Sequence, residues 1–245
     1  MDLAPDLATL RPLGGFFVLR AVAEPLRPPA TLAQAYARPA FPEDQDPLTF
    51  RVRKVGNALR APEPRIAASA AQQGLAARLW SVTLGCAALY GAVPDLDPRL
   101  LRWDPDAGAP DDLWLTEVRP RPADAATVAG IVLHGHLEPL GAALRSRYRV
   151  ADGLLWGNAG SALAGAARQL DQWARTHGRT DVAACSRALT AELLAHPLLA
   201  GTGTLTAAGF RRRSCCLYYR VPGGGVCGDC CFTRAPRSSP RAPSG

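Results

Sequence analysis

Five of the seven cysteines fall between residues 215 and 231, as Cys215-Cys216, ten residues, then Cys227-Gly228-Asp229-Cys230-Cys231. Thiolates at such density around a glycine-rich turn are metal ligands or redox groups rather than small core hydrophobes. The chain starts Met1-Asp2-Leu3-Ala4-Pro5-Asp6, acidic where a secretory leader would be basic. A reducing compartment is therefore expected, and a disulfide framework is disfavoured. Structural zinc sites usually join two knuckles with ligands a few residues apart. Here one knuckle is present, Cys227 to Cys230, and the other pair is vicinal. Adjacent residues point different ways unless the backbone bends, so a centre with two metals to reach suits them better. The spacing favours a 2Fe-2S cluster, with zinc as the rival. Gly228 is expected to let amide N–H groups turn towards sulfur.

The run Phe210-Arg211-Arg212-Arg213-Ser214-Cys215-Cys216-Leu217-Tyr218-Tyr219, followed by Cys227-Gly228-Asp229-Cys230, resembles the C-terminal signature of FhuF-type siderophore-iron reductases. Leu79-Trp80-Ser81 and Trp156-Gly157-Asn158 resemble family segments more weakly, and residues 1–70 only slightly. The resemblance implies a 2Fe-2S cluster on Cys215, Cys216, Cys227 and Cys230. Cys231 departs from the pattern and is the alternative to Cys230. It also implies the activity: one electron passes from the cluster to Fe(III) in a siderophore, and iron leaves as Fe(II). Oxygen ligands such as hydroxamates hold the harder Fe(III) more tightly, so reduction loosens the metal. An all-cysteine centre near roughly −400 mV is a suitable donor.

The expected partners are a ferric siderophore, of hydroxamate type, and an unidentified electron-donor protein. No NAD(P)H or flavin motif is present; Gly201-Thr202-Gly203 lacks the third glycine and the βαβ setting. The expected location is cytoplasmic, compatible with peripheral association at the inner face of the membrane. Two other functions compete: a 2Fe-2S electron carrier or redox sensor that never meets a siderophore, and a zinc-knuckle nucleic-acid module. The last needs stacking aromatics, for which only Tyr218 and Tyr219 are available.

Charge is concentrated near the cysteines. Of a net +7, six charges come from residues 211–245, where seven arginines face Asp229 alone. Arg211, Arg212 and Arg213 either offset the negative cluster or form a solvated basic run. His134 and His136 read as a structural loop pair, and Cys86 and Cys185 as buried core.

The elements that must position the cysteines read as an α+β fold: a mainly helical body, a small antiparallel β element and a C-terminal cysteine-rich module. The expected divisions are a body at 1–208, the cluster module at 209–234 and a disordered tail at 235–245. Phe16–Leu19 has strand character. Residues 22–64 are proline-rich and read as irregular, with one helical patch at Leu32–Ala37 capped by Thr31. A long helix is expected from Pro64 to Gly91. Its apolar run Leu79–Val93, 15 residues long, is shorter than the ~18 a membrane span needs. Asp112–Val118 is expected to pair with Arg99–Trp103 across a turn. Helices follow over Glu138–Arg149, from an Asn158 cap to Thr176, and over Asp181–His196. Gly201–Thr204 reads as a loop, Leu217–Val221 as a strand, and Pro222–Gly225 as a tight reversal.

Overall fold

The computed structural model describes residues 6–21, 29–37 and 46–236. At its centre is α3, Pro64–Tyr90, with Pro64 at its first position and Gly91 (φ 66°) ending it in the left-handed region. The helix is apolar nearly all round, and most of its residues are buried. Such a helix must be covered on every side. The covers are α2 (Pro47–Leu59), α6 (Asp152–Thr176) and α7 (Thr180–Leu194).

Before α2 lie two 3-10 turns, Asp6–Leu13 and Gly15–Phe17, the strand β1 (Arg20–Ala21), and α1 (Leu32–Tyr36). Phe16–Leu19 is therefore not a strand; pairing starts only at Arg20. Thr31 caps α1 through a full capping box with Gln34. The proline-rich stretch is less irregular than its composition suggests. Asp46 caps α2 by accepting from Thr49 N at 2.7 Å, and Pro47 fills the first position, where its missing N–H costs nothing. Residues 22–28, 38–45 and 237–245 lie outside the described residues.

After α3 come β2 (Ala92–Pro94), β3 (Leu101–Trp103), β4 (Leu113–Leu115) and β5 (Pro120–Pro122). β3 and β4 pair antiparallel as expected, with Leu101 opposite Leu115 and Trp103 opposite Leu113. β1 joins the far edge of β4 in parallel, and β2 pairs antiparallel with β5. A helical run then passes through α4 (Ala125–Ala129), a π-helical segment Gly130–Leu137, and α5 (Glu138–Tyr148). His134 and His136 lie in that π segment, not in a loop. Among the described residues, no helix is long and apolar enough to cross a membrane.

His136 is fully buried. Its Nε2 faces the Leu96 carbonyl at 2.5 Å and its Nδ1 faces Tyr36 Oη at 2.9 Å. The ring therefore donates to the carbonyl, accepts from the tyrosine hydroxyl, and is neutral. Burial pushes its pKa down to about 4, against smaller opposing effects from the Leu96 carbonyl and Asp97. In the unfolded chain the imidazole takes a proton near pH 6.5. Stability is then full above pH 6.5 and falls by about 2–3 kcal/mol as pH drops to 4. Thermal melts of His136→Gln, which keeps a donor and an acceptor but cannot titrate, should lack that slope. An unchanged slope in the variant would show that other groups cause it.

Candidate metal centre

The cysteine module is held by a platform of α3 and α6. The hairpin β6 (Gly203–Thr206) and β7 (Gly209–Arg212) brings the chain to it. Gly203 and Thr204 are thus the start of a strand rather than part of a loop. Phe210 is buried against α6. At Gly157, a Cβ would stand 2.1 Å from Ser214 Oγ, so the bare backbone of α6 lets the segment before the cysteines lie close.

Asn158 does not cap α6. The helix starts six residues earlier, at Asp152, and Asn158 is buried within it. Its Nδ2 donates to Ser69 O at 3.0 Å and Ser69 Oγ at 3.1 Å, and Ser69 Oγ donates to the Cys216 carbonyl at 2.9 Å. Its Oδ1 accepts from Arg212 Nη1. The Arg212 amide donates to the Asp229 carbonyl at 2.9 Å, and the Asp229 carboxylate accepts from Ser161 Oγ at 2.5 Å. One polar network from α3 and α6 therefore grips both the vicinal pair and the C-x-x-C knuckle. Sequence reasoning missed Ser69, Ser161 and Asp229, and gave Asn158 the wrong task. A buried asparagine and serine in an otherwise small, apolar helix were the available signal.

Leu217 follows the vicinal pair at φ 69°. This left-handed turn costs a branched residue about 1–2 kcal/mol and bends the chain directly after the vicinal pair. Residues Tyr218–Arg220 form a 3-10 turn, not a strand, and Gly224 N donates to Val221 O at 2.8 Å to close the expected reversal. The amides that reach sulfur are Leu217 N to Cys215 Sγ (3.3 Å) and Phe232 N to Cys230 Sγ (3.4 Å), rather than that of Gly228. Amide N–H groups directed at sulfur favour thiolate.

The five sulfurs form two groups, one of two and one of three. Cys216 Sγ and Cys227 Sγ are 3.5 Å apart, and the Cys231 thiol neighbours those of Cys230 and Cys215 as a hydrogen-bonding partner. Among the described residues, no group of three or more His, Cys, Asp or Glu side chains is arranged as it stands to hold a metal ion. Burial, then the neighbouring sulfurs, pushes the Cys215 thiol up to about 11. Burial and Cys216 likewise push Cys227 up to about 12, with Arg212 pulling the other way. So many sulfurs cannot all ionise together without positive charge beside them, which bound metal provides. The donor set is all sulfur and aided by amides, and it fits an iron–sulfur group.

The arginine run divides. Arg212 is buried, whereas Arg211 and Arg213 are exposed. Cys86 is buried as expected, but Cys185 is exposed on α7, with its Sγ 4.0 Å from the Ala87 carbonyl. An open cavity of about 820 Å³ lies between the hairpin and the knuckle, lined by Arg211, Arg212, Arg213, Cys227, Cys230 and Phe232 among others.

Two family models match the chain. Ferric iron reductase FhuF-like transporter matches residues 66–206, more than half of its length, and FhuF 2Fe-2S C-terminal domain matches residues 212–232. No curated protein matches it.

Proposed function

From a chain that belongs to the ferric iron reductase FhuF-like family and ends in its 2Fe-2S domain, we propose a ferric-siderophore reductase whose cluster is held by Cys215, Cys216, Cys227 and Cys230. The observation that carries this reading is the gathering of the cysteine sulfurs at the wall of an open cavity, with Cys227 and Cys230 in its lining. When bound, the cluster supplies the single electron that converts chelated Fe(III) to Fe(II).

The residues of the chain do the rest. Ser69 fixes the Cys216 carbonyl, and Ser161 with the Arg212 amide fixes Asp229 inside the knuckle. The ligands are thereby kept in place through a change of charge. The cavity volume is that of an ordinary small-molecule site. Arg211 and Arg213 give it a positive rim that attracts carboxylate or oxygen-rich chelates. A second cavity, about 800 Å³, lies between α2 and the end of α5 and is lined by Arg53, Arg60 and Arg147. No cysteine lines it, so the chelate is assigned to the first.

The test uses protein reduced anaerobically, freed of excess reductant, and mixed with a ferric trihydroxamate and a ferrous-specific trap. Trapped Fe(II) equal to the clusters oxidised is expected. Protein that stays reduced with hydroxamate, catecholate and carboxylate chelates alike would make it an electron carrier instead.

A further inference from the structure

Arg212 is the third residue before the vicinal cysteines, at the end of β7. Only 3% of it is exposed. A guanidinium has five N–H donors and stays charged in any protein environment. Nη1 donates to Asn158 Oδ1, yet Nε and Nη2 are buried with no hydrogen-bond partner among the described residues. Among the described residues, no carboxylate is paired with it through a salt bridge: Asp229, the nearest acid in sequence, is engaged by Ser161 and lies 3.8 Å from Arg168. A buried cation with unmet donors is unfavourable unless something negative completes it. Arg212 and Cys227 line the same cavity wall.

We propose that Arg212 is the buried counter-cation of the 2Fe-2S cluster, anchored by Asn158 and directing its free N–H groups to the cluster's sulfur. This inference rests on the four-cysteine reading of the site. An all-cysteine cluster carries two net negative charges when oxidised and three when reduced. A fixed cation in a site of low dielectric stabilises the reduced form more, and so raises the potential. Hydrogen bonds to sulfur act in the same direction. Arg211 and Arg213 are exposed, and water and salt screen their charges. Arg212 is therefore a positioning and tuning residue, and its neighbours are not. The three arginines have separate roles despite being adjacent in sequence.

The experiment is a redox titration of the holoprotein, followed by visible absorbance, for wild type, Arg212→Gln, Arg212→Lys, Arg211→Gln and Arg213→Gln. At a fixed potential near the wild-type midpoint, Arg212→Gln should lower the ratio of reduced to oxidised cluster at least tenfold, about 59 mV for one electron. Arg212→Lys, which keeps the charge, should recover most of that shift. Arg211→Gln and Arg213→Gln should change the ratio by less than about twofold. An Arg212→Gln cluster with the wild-type midpoint would overturn the proposal. Should that variant fail to hold a cluster, pulsed EPR of reduced wild type grown on isotope-labelled arginine decides. A guanidinium nitrogen coupled to the cluster spin, and lost in Arg212→Lys, supports the proposal; no coupling overturns it. Wild type purified anaerobically without iron or sulfide would overturn the four-cysteine reading itself, which separates the two failures.

Discussion

Cys216→Ala should purify nearly colourless, with cluster iron and sulfide reduced at least about tenfold, while Cys231→Ala keeps nearly the full complement. Cys216 is the most enclosed of the five clustered cysteines, and the only one of them that is buried. Its sulfur is 3.5 Å from that of Cys227, and its carbonyl is fixed by Ser69. Removing it therefore takes a thiolate from the inner side of the site. The fourth ligand is the discriminating case. Cys231 lies within reach of both Cys215 and Cys230, so it is well placed to compete. Cys230, however, lines the cavity and receives the Phe232 amide at 3.4 Å. Cys230→Ala should accordingly lose the cluster and Cys231→Ala should not. Iron and sulfide analysis of the five single variants checks this. A Cys231→Ala protein without iron, beside a Cys230→Ala protein that retains it, would move the fourth ligand by one position.

Asp112→Ala should cost about 3–5 kcal/mol of stability, with little change in the cluster spectrum of the protein that remains folded. Arg78 is buried in the middle of α3. Its Nε donates to Asp112 Oδ1 at 2.9 Å, and the side chains of the pair are 2% and 4% exposed. The other guanidinium nitrogens donate to the carbonyls of Gly15, Phe16 and Val18. One side chain thus fastens the N-terminal turns and the start of β4 to the central helix. Without the aspartate, a guanidinium remains buried with no countercharge. The control is Asp111→Ala next to it. Asp111 pairs with Arg20, and both side chains are about half exposed or more. That pair should matter by less than about 1 kcal/mol. Urea unfolding midpoints, with equal slopes, make the comparison. A loss below about 1 kcal/mol for Asp112→Ala would mean that the site relaxes or admits water.

Features specified by neighbours in the chain were legible in the sequence. The cysteine spacing is local, so the cluster module could be read from it. Pro64 and the apolar stripe behind it marked α3, Thr31 marked its short helix, and the prolines and turn between Trp103 and Leu113 marked the β3–β4 pair. What could not be read depends on partners far along the chain. Asn158 has the composition of a cap, yet Ser69 and Arg212 come from α3 and β7 and hold it in mid-helix. Arg212 looks like one of three equal charges until β7 turns it inward. Cys185 sits on a helical stripe, but at the edge that packing does not cover. The prolines of residues 22–64 suggested irregular chain. Pro47 instead starts a helix, and the Asp46 cap before it was a signal that composition obscured.

Mössbauer spectroscopy of iron-enriched protein, purified anaerobically, tests the four-cysteine cluster most directly. Two sulfur-ligated ferric ions coupled to a diamagnetic ground state, one pair per chain, are predicted, becoming one ferric and one ferrous site on one-electron reduction. A single uncoupled iron, or a colourless protein with one zinc per chain, would contradict it.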